Sequence, residues 1–95
     1  MIEPRRWTVD ITPVARRELL ALRGAIQDRL RAAIRALGDD PIPPDSIVMR
    51  GKGVGLRRLR VGNYRIIYRL QSERLMVIVV RVGHRSEVYE GFEDL

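Results

Sequence analysis

The sequence contains no cysteine, which excludes disulfide bonds and zinc sites built on thiolates. It has no apolar run that approaches the ~20 residues of a membrane-spanning helix, and its N-terminus lacks the apolar segment of a signal peptide. Lysine and histidine occur once each. We therefore expect a soluble, cytoplasmic protein whose 95 residues form a single domain spanning 1–95.

Arginine supplies nearly all of the positive charge. Seventeen arginines and Lys52 give eighteen basic residues against twelve acidic ones, a net charge of +6. A guanidinium group binds phosphate through two donors and stacks on bases, so this excess favours a nucleic acid as the partner. High arginine usage can also reflect the base composition of a genome, but that cause would not place arginines on one face of a strand.

Residues 56–89 show the clearest pattern, which predicts a three-stranded antiparallel meander. Apolar residues and arginines alternate over residues 57–61, and the following Gly62-Asn63 pair is typical of a two-residue type II′ turn. Such a short turn fixes which residues face each other across the hairpin. It pairs Val61 with Tyr64, Leu59 with Ile66 and Arg60 with Arg65.

This pairing separates the side chains of the hairpin onto two faces of the sheet, since paired residues project to the same side. One face is expected to join the core and carries Leu59, Val61, Tyr64, Ile66 and Tyr68. The other, called the arginine face below, carries Arg58, Arg60, Arg65, Arg69 and Ile67. If the arginine face is open to solvent, it would bind anions.

The third strand of the meander is predicted over residues 75–82. Its sequence is almost continuously apolar, which indicates a central strand covered on both sides. Strict alternation assigns Met76, Ile78 and Val80 to the arginine face, and Val77, Val79 and Arg81 to the core face. A charge at Arg81 conflicts with that assignment, so we expect a twist or a bulge before Gly83.

The N-terminal half predicts one strand and two helices. Residues 7–11 alternate apolar and polar side chains, with Trp7, Val9 and Ile11 turned inward. Thr12 suits the N-cap of a helix and Pro13 its first position. That helix would bury Val14, Leu19 and Leu22.

A second helix is predicted over residues 25–37. Apolar residues recur there at three- and four-residue steps, Arg23-Gly24 interrupts the pattern before it, and Gly38 is typical of a helix end. The proline-rich residues 39–44 then form an extended connection back to the sheet. The predicted fold class is α+β: an N-terminal strand and a two-helix hairpin packed on one face of a mostly antiparallel four-stranded sheet.

Two motifs, Gly62-Asn63-Tyr64-Arg65-Ile66-Ile67-Tyr68 and Gly83-His84-Arg85-Ser86-Glu87-Val88-Tyr89, resemble the RelE/ParE superfamily of toxins from toxin–antitoxin pairs. The resemblance spans nearly the whole chain, and the second motif is similar to RelE-like members. It implies a RelE-like fold and a toxin that enters the ribosome and cleaves mRNA as an endoribonuclease, without a metal or cofactor. It also implies neutralisation by a RelB-like antitoxin.

Cleavage by attack of the ribose 2′-oxygen on the adjacent phosphate needs a base, cations for the phosphorane charge, and an acid for the departing 5′-oxygen. By resemblance, Arg65 is the arginine that stabilises the phosphate, Arg58 and Arg85 are further catalytic cations, and Tyr89 stacks on or orients the substrate base. His84 could act as acid or base, because histidine exchanges protons near neutral pH. RNA-binding contacts are expected from Lys52, Arg57 and Arg60.

One departure from the family pattern concerns Leu56, which stands where well-known members carry a lysine that helps to remove the 2′ proton. His84 or Lys52 would have to fill that role. The alternative function is therefore that of a ParE-like protein, which inhibits DNA gyrase by binding and has no nuclease activity. A third reading is an inactive binding module with the same fold. The carboxylates show no spacing typical of a metal site.

Overall fold

The computed structural model describes residues 6–53 and 55–90, except for the side chain of Lys52. Within these residues, one five-stranded sheet with the strand order β1-β5-β4-β3-β2 carries two helices. Only β1 and β5 pair in parallel. In chain order the elements are β1 Thr8–Ile11, α1 Pro13–Ala21, α2 Gly24–Ala36, β2 Ser46–Val48, β3 Arg57–Val61, β4 Tyr64–Gln71 and β5 Met76–His84, with 3-10 turns at Gly51–Gly53 and Ser72–Arg74.

The central hairpin of β3 and β4 has the predicted turn and register. Gly62 has a φ of +60°, the left-handed conformation that the first central residue of a type II′ turn requires. The three predicted cross-strand pairs are confirmed: Val61 with Tyr64, Leu59 with Ile66, and Arg60 with Arg65. The arginine face therefore lies on the side of the sheet opposite to the face that enters the core.

The predicted strand count was wrong, because the short β2 adds a fifth strand. Ser46 pairs with Leu59 and Val48 with Arg57, in antiparallel orientation. The prolines that argued against a strand all precede Asp45, and a strand at the edge of a sheet needs partners on only one side. A three-residue segment with a distant partner carries too little local pattern to be recognised from sequence.

The first helix begins as predicted. Its N-cap residue is Thr12, whose hydroxyl oxygen accepts a hydrogen bond from the Ala15 N–H at 3.2 Å. The predicted burial of Val14 was wrong, since this side chain is 45% exposed while Ala15 and Leu19 are buried. Residues 15 and 19 lie four apart on one helix face, whereas position 14 is rotated by about 100° from position 15.

The main core lies between the helices and the apolar face of the sheet. As predicted, Trp7, Val9 and Ile11 of the first strand region pack against it. The buried residues of this core are Ala15, Leu19, Leu30, Ile34, Leu37, Leu59, Val61, Ile66, Tyr68, Val77, Val79 and Val82. Both predicted helices thus pack on one face of the sheet.

A second, smaller apolar cluster covers part of the arginine face. Its buried members are Met49, Ile67 and Val88, and Leu56, Val80 and Tyr89 pack around them. Met49 follows β2, and Val88 lies in the turns that follow β5. Two connecting segments therefore close over the middle of this face and leave its margins open.

The expected irregularity near Arg81 is a bulge. In the β4–β5 ladder Ile67 pairs with Arg81 but Tyr68 pairs with Val79, so Val80 has no partner of its own. The extra residue shifts Arg81 out of the core-facing series and returns Val82 to the core, where it is 1% exposed.

Among the described residues, neither helix has the length and apolar character that crossing a membrane would require.

Burial of Leu30 in α2 predicts a large contribution to stability. The Leu30→Ala variant should lower the free energy of unfolding by about 2–5 kcal/mol, because it removes buried methyl groups and leaves a cavity. Leu20→Ala is the matched control: Leu20 is a helical leucine that is 55% exposed, and the expected change is within about 0.5 kcal/mol. Urea denaturation of the purified variants measures both values, and equal losses would contradict the assigned core.

Candidate active site on the arginine face

The structure brings together two of the residues predicted for catalysis, Arg58 and Tyr89. Arg58 lies in the middle of β3, opposite Ile67, and its Nη1 donates a hydrogen bond to the Tyr89 hydroxyl oxygen at 3.1 Å. Its guanidinium carbon is 6.0 Å from the centre of the tyrosine ring, within the range of a cation–π interaction. Both residues are half-buried, so the pair is held in place yet reached by solvent.

Tyr89 reaches Arg58 because the chain reverses after β5. The N–H groups of Glu87 and Val88 both donate to the His84 carbonyl oxygen at 2.9 Å. Val88 is fully buried, and a Cβ added at Gly83 would lie 3.5 Å from the Val88 Cβ. The returning chain thus packs against β5 at Gly83 and carries Tyr89 to the arginine face.

Arg65 lies on the expected face but is largely buried. The residue is only 8% exposed, and its Nη1 donates to the carbonyl oxygens of Gly62 and Tyr64, both at 2.9 Å. A buried guanidinium needs such acceptors, because burying an unpaired charge is costly. In this arrangement Arg65 stabilises the hairpin turn through Nη1, and little of its side chain is exposed to a ligand.

His84 lies on the helix side of the sheet. It pairs with Tyr64, and the two rings meet edge-to-face with their centroids 5.4 Å apart. Its Nδ1 lies 2.8 Å from the Ser86 hydroxyl oxygen and 3.2 Å from the Ser86 nitrogen, whose N–H donates to it. His84 lines a groove of about 680 Å³ together with Glu18 and Leu22. The structure therefore does not bring His84 to the Arg58–Tyr89 pair.

The remaining predicted cations fall into two groups. Arg60 and Arg85 are exposed. Arg60 lines a shallow pocket of about 200 Å³ together with Arg58. Arg85 follows β5 and lies beside the hairpin turn. Arg57, by contrast, pairs with Tyr68 and so belongs to the core-facing series; its Nη2 donates to the Ser46 hydroxyl at 3.0 Å. The structure thus separates Arg57 from the arginine face, because neighbouring residues of a strand project to opposite sides. The side chain of Lys52 lies outside the described part.

Leu56 is half-buried against the cluster of Met49, Ile67 and Val88. An apolar side chain thus packs where the family pattern leads us to expect a lysine. In the described part of the chain, no three His, Cys, Asp or Glu residues are grouped so that they could hold a metal ion.

The sequence did not predict that Glu18 of α1 would contact β5. Its carboxylate accepts a hydrogen bond from the Arg81 Nε at 2.9 Å, across 63 residues of sequence. The signal for this contact was the misplaced charge at Arg81, which requires a partner wherever it is partly buried. The pattern gave no indication that the partner would come from α1.

Two helices on one face of a five-stranded, mostly antiparallel sheet form the fold of the RelE-like toxins. The structure resembles a chain of the RelBE2 toxin–antitoxin complex from Mycobacterium tuberculosis, with a TM-score of 0.79. The two chains are 29% identical, and the match covers 90% of this chain and 98% of the other. It also has the fold of the isolated RelE toxin of Escherichia coli, with a TM-score of 0.70 at 21% identity over 93% of this chain and 96% of that one.

Sequence comparison identifies the family. The family model described as the ParE toxin of type II toxin–antitoxin system, parDE, matches residues 9–89, so this chain belongs to that family. It is similar to Toxin RelG of Mycobacterium tuberculosis, at 35% identity over 86 residues that cover 87% of this chain and 95% of the relative. A putative RelE-like toxin protein of Escherichia coli is 30% identical over 86 residues, 88% of this chain and 90% of the relative. The protein is thus a toxin of a type II toxin–antitoxin system.

The environment of Arg65 predicts that its main contribution is to stability. Arg65→Ala should lower the free energy of unfolding by about 1–3 kcal/mol, because the Gly62 and Tyr64 carbonyls lose a charged donor at a partly buried site. Arg69→Ala removes an exposed arginine from the same strand and should change it by less than about 0.5 kcal/mol. Differential scanning calorimetry compares the two, and identical melting temperatures would contradict the structural role.

Proposed function

We propose that this toxin inhibits translation as a ribosome-dependent, metal-independent endoribonuclease that cleaves mRNA. The observation that carries the proposal is the Arg58–Tyr89 pair, a fixed guanidinium and a hydroxyl on a basic surface. The similarity to relatives with RelE-like names supports this branch of the superfamily. A RelB-like antitoxin is the proposed partner, because related toxins are found in complexes with RelB.

The reaction needs no external nucleophile. The ribose 2′-oxygen attacks the adjacent phosphorus, a new oxygen–phosphorus bond forms, and the bond to the 5′-oxygen breaks. Negative charge builds up on the phosphorane oxygens, and Arg58 would neutralise it through the donors that Tyr89 does not use. The products are a 2′,3′-cyclic phosphate and a 5′-hydroxyl.

Tyr89 and Asp45 provide for the two protons. Because the Tyr89 oxygen accepts a hydrogen bond from Arg58, its own O–H points elsewhere and can donate to a phosphate oxygen or to the departing 5′-oxygen. The 2′ proton needs an acceptor. Asp45 lines the same pocket as Arg58 and Arg60, and we assign this role to its carboxylate in place of the lysine that Leu56 replaces.

The proposal predicts that Arg58→Ala lowers the rate of mRNA cleavage about 10²–10³-fold, as expected when a donor to the developing charge is lost. Tyr89→Phe keeps the ring and removes the hydroxyl, so the loss should be smaller. Asp45→Asn should lower the rate at saturating mRNA, because it removes the proposed base. It should not weaken binding, because it also removes a negative charge from the pocket. Purified ribosomes carrying a defined mRNA, read by primer extension, measure these rates.

Arg31→Ala is the matched control, since it removes an equal charge from an exposed site on α2. This variant should cleave mRNA at the rate of the unmodified toxin. Intact mRNA on ribosomes treated with the unmodified toxin, or full cleavage by Arg58→Ala, would end the proposal.

Inhibition of DNA gyrase by binding is the second candidate. It is favoured because Leu56 is apolar where the family pattern has a lysine, and because His84 lies on the helix side, so neither position supplies a proton acceptor beside Arg58. The exposed Ile47 and Val48 of the edge strand β2 also suit a protein surface as the target. In a supercoiling assay with purified gyrase, a gyrase toxin would stop the reaction at concentrations that leave ribosome-bound mRNA intact.

A further inference from the structure

The position of Tyr89 depends on how the turns after β5 are held at both ends. On one side, Val88 is buried in the small apolar cluster. On the other, the Glu90 carbonyl oxygen accepts a hydrogen bond from the Arg81 Nη1 at 3.0 Å. Tyr89 lies between these two attachments, so its freedom to leave Arg58 depends on both.

Arg81 is itself held in one orientation. Its Nε donates to Glu18 Oε2 at 2.9 Å, and the two side chains are only 25% and 26% exposed. The planar guanidinium has donors at fixed angles, so a contact at Nε sets the direction of Nη1. Glu18 therefore aims Arg81 at the Glu90 carbonyl.

Glu18 is fixed by the edge of the sheet. The parallel β1 pairs with β5 only as far as Val79. Beyond that point the Val82 N–H donates to Glu18 Oε1 at 3.0 Å, so α1 supplies the acceptor that a longer β1 would have provided. One carboxylate thus binds the strand edge with one oxygen and Arg81 with the other.

The bulge of β5 makes this arrangement possible. With strict alternation Arg81 would project into the main core, where its charge would lack partners. The unpaired Val80 shifts Arg81 into register with Ile67, whose side chain belongs to the small apolar cluster.

We propose that Arg81 is a positioning residue for the site: oriented by Glu18, it holds the Glu90 carbonyl and so keeps Tyr89 against Arg58. The consequence for mRNA cleavage rests on the proposed function. The effect on the place of Tyr89 does not, and it can be measured without any substrate.

The experiment compares Arg81→Ala and Glu18→Gln with the unmodified toxin by 19F NMR after labelling with 3-fluorotyrosine. The chain has three tyrosines, and Tyr89→Phe assigns the resonance of Tyr89. Both variants should shift or broaden the Tyr89 resonance and leave that of buried Tyr68 unchanged. Arg74→Ala, which removes an exposed arginine from the turn at the other end of β5, should leave all three resonances in place.

The cleavage assay adds a second readout. Arg81→Ala should lower kcat about 10- to 100-fold with KM unchanged, as expected when a reacting group is displaced by about 1 Å. In a Tyr89→Ala background it should have no further effect, because it acts only through Tyr89.

The outcomes separate the two proposals. An unmoved Tyr89 resonance in both variants, or losses that add in the double variant, would overturn the role of Arg81. A toxin that leaves mRNA intact while the Tyr89 resonance still responds would overturn only the proposed nuclease function.

Discussion

The register of the β3–β4 hairpin is the constraint on which the rest of the structure depends. The positive φ of Gly62 permits a two-residue turn, and that turn places Leu59 opposite Ile66. Because side chains alternate along a strand, a slip by one residue would exchange the faces. Arg58 would then lie under the helices and Leu59 in water. The separation of core and arginine face is therefore set by one turn.

Alternation assigns a side chain to a face, but it does not decide whether that side chain is available. Arg58 and Arg65 share the arginine face, yet one guanidinium binds a tyrosine hydroxyl and the other binds two backbone carbonyls. The difference arises from position along the hairpin. Arg65 lies beside the turn, where the carbonyl oxygens of Gly62 and Tyr64 are within reach of its side chain, whereas Arg58 lies in mid-strand and its side chain reaches Tyr89.

The parts that were predictable from sequence are those specified by neighbouring residues. The cap at Thr12, the break at Gly24 and the hairpin turn each depend on a few consecutive residues. The bulge was also predictable, since a charge stood in an apolar series at Arg81. The short β2 was not, because its pairing with β3 is a contact between distant segments with little local pattern.

The contacts of the site were the least predictable, for the same physical reason. The Arg58–Tyr89 hydrogen bond joins residues 31 apart, and the Arg81–Glu18 bond joins residues 63 apart. Each depends on the path of an irregular segment, and no periodicity specifies such a path. The family motif singled out Tyr89, which the structure brings to Arg58, whereas it could not show that Arg65 would turn back onto its own strand.

A site built this way combines two kinds of arginine. Arg58 is held by Tyr89, so little conformational freedom remains for it to lose when an anion binds. Arg60 and Arg85 are exposed and long, and they contribute attraction that acts over distance and is screened by salt. Under the proposed function the mobile arginines would bring the RNA backbone to the sheet, and the fixed one would determine which phosphate reacts. Fixing that one guanidinium requires the returning chain, and the returning chain requires the bulge, the strand edge and α1.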